Sequence, residues 1–101
     1  MPKTDCTDIL KALADRTRVR IVKALLTEPH GVNDLAEALD LSQYNVSKHL
    51  RVLREAGIIA GERNGRHMEC SIAPEFERSL VQNQNVLDLG CCTFRFGRNC
   101  R

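Results

Sequence analysis

Ser42-Gln43-Tyr44-Asn45-Val46-Ser47-Lys48-His49-Leu50-Arg51-Val52-Leu53-Arg54-Glu55-Ala56-Gly57 is the stretch that decides the fold. At about 100° per residue, Val46, Leu50 and Leu53 fall on one face, the spacing of a helix that packs inward. Tyr44, Ser47, Lys48 and Arg51 fall on the other side. Ser42 has the side-chain acceptor of an N-cap, and Gly57 suits the C′ position that ends a helix. One apolar stripe between two end signals predicts a helix over 42–56.

Upstream, Leu35, Ala36 and Leu39 predict a short helix over 33–39, and Asp40-Leu41-Ser42 a tight turn. Before it, Asp15 can cap a helix whose apolar positions are Val19, Ile21, Val22, Leu25 and Leu26. Glu28-Pro29-His30-Gly31 reads as its stop, because proline disfavours helix at the residue before it. Ile9, Leu10 and Leu13 predict a first helix, capped by Thr4 or Asp5.

Downstream, 58–63 and 67–72 read as strands joined at Asn64-Gly65, a strong hairpin signal. Pro74 fits the first turn of a last helix, expected over 74–85, with Leu80, Val81, Val86, Leu87 and Leu89 as its apolar contacts. Gly90 should end regular structure. The expected class is mainly α with a β-hairpin wing, a winged helix-turn-helix in the order α-α-α-α-β-β-α. Residues 1–90 would form the domain and 91–101 a cysteine-containing tail.

A chain of 101 residues fits one domain with a modest core, so help from a partner chain is reasonable. Hydrophobic residues at 43% and charged residues at 28% are an ordinary soluble balance. Aromatics at 4%, with no Trp, speak against an aromatic-rich ligand barrel. No apolar run approaches the roughly 18 residues of a membrane span. The opening Met1-Pro2-Lys3-Thr4-Asp5 lacks the apolar core of a secretion signal, so a cytoplasmic protein with no membrane partner is expected.

Net charge is only +2, but its distribution is uneven. Between 27 and 41 stand Glu28, Asp34, Glu37 and Asp40 with no Lys or Arg. Between 42 and 67, Lys48, Arg51, Arg54, Arg63 and Arg66 face only Glu55 and Glu62. Lys and Arg reach phosphates or guanine edges, Ser donates to phosphates, and Tyr contacts backbone or thymine methyl groups. A basic helix after a tight turn, with a hairpin behind it, points to a major-groove reader with a flanking wing. The candidate DNA-contacting residues are Ser42, Gln43, Tyr44, Asn45, Ser47, Lys48, His49 and Arg51 on the helix, and Arg63, Asn64 and Arg66 at the wing. Two arginines beside the hairpin turn can straddle the backbone and enter the adjacent minor groove. Neither a glycine-rich cofactor motif nor Cys-x-x-Cys occurs, so no enzyme and no organic cofactor is expected.

In order, these residues resemble the ArsR/SmtB repressors. The stretch 13–21, Leu-Ala-Asp-Arg-Thr-Arg-Val-Arg-Ile, is similar to the family's opening L-A-D-x-T-R-x-x-I. Asp34-Leu35-Ala36-Glu37-Ala38-Leu39 resembles the helix before the turn. Leu41-Ser42-Gln43, Val46-Ser47-Lys48-His49-Leu50 and Leu53-Arg54-Glu55-Ala56-Gly57-Ile58-Ile59 resemble the recognition helix and its exit. The stretch 63–68 resembles the wing, although Met68 and Glu69 replace an aromatic pair often seen there. The resemblance implies a homodimer on double-stranded operator DNA with an inverted repeat, released by an inducer. It also implies a dimer interface built by the first and last helices, hence from Ile9, Leu13, Leu80, Val81 and Leu87.

Neither common metal site of that family carries over. The place of its C-x-C motif reads His30-Gly31-Val32-Asn33-Asp34-Leu35, and 78–89 contains no His for a zinc site on the last helix. What remains is thiol chemistry. The five cysteines, Cys6, Cys70, Cys91, Cys92 and Cys100, are odd in number and come without a secretion signal, so reduced thiols rather than a disulfide scaffold are expected. Adjacent Cys91 and Cys92 can chelate one soft ion. Trivalent arsenic or antimony prefers three sulfurs in a pyramid, with Cys100 or Cys6 as the third. Arg95 and Arg98 nearby favour thiolates. The tail is similar to that of arsenic-responsive members carrying a Cys-Cys pair, which implies As(III) or Sb(III), inorganic or methylated, as inducer. Cys70, between Glu69 and Ser71 on the second strand, reads as core packing. The alternative keeps the fold and makes the cysteines a redox or persulfide sensor.

Overall fold

The boundaries of the helical half have local causes. The computed structural model describes residues 6–64, 67–81, 86–88 and 93–96. Helix α1 (Cys6–Leu13) buries Ala12 and Leu13. The expected caps Thr4 and Asp5 lie outside the described residues. Helix α2 (Arg16–Thr27) starts at Asp15, whose extended backbone lets its carboxylate accept the Arg18 amide at 3.1 Å.

Helix α3 (Val32–Leu39) follows a two-residue strand, β1 (His30–Gly31). Residues 30–31 were expected only as a turn, and a strand so short has no periodicity to reveal it. The helix stops where Asp40 turns left-handed at φ 56°, with the Leu41 amide donating to the Ala36 carbonyl at 2.9 Å. Helix α4 (Gln43–Glu55) starts one residue after Ser42, whose hydroxyl accepts the Asn45 amide at 3.1 Å. It ends as α3 does: Gly57 sits at φ 79°, the Gly57 amide reaches Arg54 and the Ile58 amide reaches Leu53, both at 3.0 Å. Asp15, Ser42 and Gly57 thus hold the positions that the sequence predicts.

The core joins Ile21 and Val22 of α2, Leu35 of α3, Val46 and Leu53 of α4, and Ile58, all fully buried. Arg20 Nη2 donates to the Leu39 carbonyl at 3.2 Å and so ties α2 to the end of α3 just before the turn.

Strands β2 (Ile59–Asn64) and β3 (His67–Ile72) form the wing, with β1 on the other edge of β3. Asn64 pairs with His67, so β2 runs one residue beyond the expected end at 63, while β3 keeps its expected bounds. The observed register sets Arg63 against Met68 and closes the base with Ile59 against Ile72.

The largest departure follows Pro74. Helix α5 (Pro74–Arg78) begins at proline as expected but ends after five residues, well short of 85. Strands β4 (Leu80–Val81), β5 (Val86–Asp88) and β6 (Thr93–Arg95) then form an antiparallel sheet in chain order. A helix here would place polar Asn83, Gln84 and Asn85 at the i+3 and i+4 positions from Leu80 and Val81, which interrupts any apolar stripe. Pairing instead lines Leu80, Leu87 and Phe94 across the sheet. Leu87 is fully buried, and Leu80, Phe94 and Phe96 join the same core. The rings of Phe94 and Phe96 meet edge to face at 4.7 Å.

Candidate nucleic-acid interface

Helix α4 divides by face as its periodicity predicts. Val46, Leu50 and Leu53 are buried, whereas Ser42, Gln43, Asn45, Ser47, Lys48 and Arg51 are exposed. Tyr44 is 75% exposed, a large apolar ring held in water at the first turn of the helix. Arg51 Nε lies 3.5 Å from Glu55 Oε2, with both side chains exposed. A surface pair of this kind contributes under about 1 kcal/mol, so a phosphate can displace the carboxylate.

His49 differs from the rest of the predicted set. It is half-buried, and its Nδ1 lies 3.4 Å from Arg18 Nη1 on α2. At the wing, Arg63 and Asn64 occupy the last positions of β2, and Arg66 lies outside the described residues.

Arg54 is a residue the sequence reading left out. It is exposed, and a Cβ built on Gly61 would stand 3.5 Å from its Nη1 and 3.0 Å from Met68 Sδ. The missing side chain at Gly61 therefore lets the guanidinium lie over β2, at the junction of helix and wing. A glycine inside a strand was the available signal, since it marks close approach of another group.

Among the described residues, two groups have displaced pKa values. Burial pushes the Asp15 carboxyl up, but the Arg18 amide and guanidinium, the neighbouring His49 and the Thr17 amide outweigh it and hold the carboxyl below its ordinary value. Burial pushes the Cys70 thiol up, Arg54 opposes it, and Glu69 adds to the rise.

Cys70 is free and fully buried, paired with His30 across β1 and β3, which agrees with a packing role. Cys6, the first residue of α1, is disulfide-bonded, against the expectation of reduced thiols throughout. Cys91, Cys92 and Cys100 lie outside the described residues. Among the described residues, no group of three or more His, Cys, Asp or Glu side chains is placed to hold a metal ion. Of the expected dimer residues, Ile9 is half-buried and Leu13 is buried, both on α1. Leu80, Val81 and Leu87, expected along a last helix, lie on β4 and β5, and Leu87 is inside the chain's own core. No helix among the described residues is long and apolar enough to cross a membrane.

Known proteins repeat this arrangement. Residues 15–60 match the family described as bacterial regulatory protein, arsR family. The solved structure of an ArsR family transcriptional regulator, RHA00566, is 33% identical, with a TM-score of 0.63 over 68% of this chain and 76% of that one. The chain belongs to the ArsR family. Another family likeness is the homodimeric winged helix-turn-helix DNA-binding domain of Mb0332 from Mycobacterium bovis, 28% identical with a TM-score of 0.66 over 68% of this chain and 64% of that one. Among curated relatives, the HTH-type transcriptional repressor SmtB of Mycobacterium tuberculosis is 41% identical over 73% of this chain and 55% of its own length. The arsenic resistance transcriptional regulator ArsR1 of Pseudomonas putida is 41% identical over 66% of this chain and 53% of its length. The chain thus spans about half the length of these curated ArsR-family relatives.

Proposed function

We propose that this ArsR-family chain is a transcriptional repressor that binds double-stranded operator DNA as a homodimer. One observation carries the reading: α4 is pinned at both ends and packed along one face, and it turns Tyr44, Ser47, Lys48 and Arg51 to solvent. Ser42, Gln43 and Asn45 sit at its N-terminal end, where a recognition helix meets base edges. Lys48 and Arg51 take phosphates or guanines, and Arg63, Asn64 and Arg66 hold the flanking groove. His49 acts from behind the helix. The homodimeric DNA-binding domain of Mb0332 supports pairing of two chains, and an inverted repeat is the operator that matches a two-fold pair. Ile9, Leu13, Leu80, Val81 and Leu87 are the proposed contributors, those in the core by supporting the contact surface. The short α5 means that α1 supplies more of that interface than a long last helix would leave to it.

The inducer we propose is trivalent arsenic or antimony. The likeness to ArsR1 favours a metalloid signal. Cys70 is enclosed and free, and Cys6 is disulfide-bonded, so the cysteines of this chain are not confined to core packing. A three-sulfur pyramid from Cys91 and Cys92 with Cys6 or Cys100 suits either ion. The bonded state of Cys6 also favours a second reading, in which thiol oxidation itself is the signal. Fluorescence anisotropy on the chain's own upstream DNA separates them. Arsenite added to reduced protein is expected to weaken binding about 5- to 150-fold, the usual span of allosteric coupling. Cys91→Ser/Cys92→Ser should abolish that release. Release by peroxide but not by arsenite selects the redox reading, and unchanged release by the double variant removes the tail thiols from the mechanism.

A further inference from the structure

Arg18 is the most heavily shared side chain of the helical half. Its Nε donates to the Ala12 carbonyl, and its Nη2 donates to the Lys11 carbonyl at 3.3 Å. Both carbonyls lie near the C-terminal end of α1, where intrahelical amides run out, and the Lys11 carbonyl also accepts the Ala14 amide at 3.2 Å. Its Nη1 lies 3.8 Å from Asp15 Oδ2, and the same atom lies 3.4 Å from His49 Nδ1 on α4. The Arg18 side chain is only 18% exposed, and its contacts with Ala12 and His49 are partly shielded from water. Nδ1 is thus the ring atom of His49 that faces the guanidinium.

One planar group therefore grips the end of α1 and the back of the DNA-reading helix at once. Cys6, the disulfide-bonded residue, is the first residue of α1, and Lys11 and Ala12 stand near its end. Eight residues of helix span about 12 Å, and a helix that short moves as a rigid rod. We propose that Arg18 and His49 are positioning residues that carry the state of Cys6 through α1 to α4. A shift of α1 at its thiol end displaces the Lys11 and Ala12 carbonyls. The guanidinium follows them, and His49 turns the exposed face of α4 with it. The link rests on the thiol-responsive reading above and supplies its path.

Hydrogen exchange on the full chain tests the link without DNA. Wild type is compared with its disulfide kept and after reduction by a phosphine. Reduction is expected to change exchange at least about 5-fold, the lower end of allosteric coupling, at amides of both α1 and α4. In His49→Leu the α1 response should remain and the α4 response should fall away. His49→Asn, whose amide oxygen can take the place of Nδ1, should restore it. His49→Gln reaches the Nε2 position instead and interrupts the link without opening a cavity, so it carries the test if the leucine variant does not fold. An α4 response in the leucine or glutamine variant equal to wild type overturns the proposal. So does a wild-type α4 indifferent to reduction. A wild type that binds no duplex defeats the repressor reading separately, because the exchange result stands without it.

Discussion

Residues 15–60 and residues 74–96 are governed by different physics. In the first region α2 and α4 start on side-chain caps, Asp15 and Ser42, and α3 and α4 stop at the left-handed residues Asp40 and Gly57. In the second, a proline starts α5 correctly, yet the chain after Arg78 is organised by pairing between strands. Capping is local and can be read from a window of four residues. The row Leu80, Leu87 and Phe94 exists only after two connections have closed, so no window of helical periodicity contains it.

The contrast can be broken most forcefully by cavity formation. Leu53 and Leu87 are both 0% exposed, one in each region. Leu53→Ala is expected to cost about 2–5 kcal/mol in urea unfolding. If the C-terminal sheet is part of the same cooperative unit, Leu87→Ala costs a similar amount in one shared transition. A separate early transition for Leu87→Ala would instead make the sheet an appendage. A smaller effect is expected at the helix stop. At φ 79° a side chain is strained, so Gly57→Ala should lose about 1–2 kcal/mol, visible as a lower melting temperature.

The cap at Asp15 sharpens the comparison further. Asp15→Ala should cost about 1 kcal/mol at neutral pH. Because the folded carboxyl is held below its ordinary value, its contribution is complete above the unfolded pKa and fades as pH falls through the folded one. Wild type and variant should therefore converge in acid. The smallest effect is expected at Cys70. Burial favours its unreactive thiol, so iodoacetamide at mildly alkaline pH should leave it unlabelled until denaturant is added.

The exposed face of α4 was legible for the same reason as the fold around it. Val46, Leu50 and Leu53 fix the inward face of α4, and the outward face follows by geometry. What escaped depended on contacts between distant residues. His49 belongs to the outward set by charge and type, but Arg18, 31 positions away, draws it inward. Arg54 lies over the wing because Gly61 leaves room there. Asn64 belongs to β2 because it pairs with His67, a partner that no local turn signal names. That Cys6 is disulfide-bonded is likewise a fact of three-dimensional proximity.

The central claim is that the exposed face of α4 meets a duplex, and salt-dependent anisotropy on the upstream DNA tests it most directly. Lys48→Ala and Arg51→Ala should each weaken binding and reduce the slope of log affinity against log salt by about 1. Arg78→Ala, an exposed arginine on α5, should match wild type. Wild-type affinity and slope in both α4 variants would contradict the account.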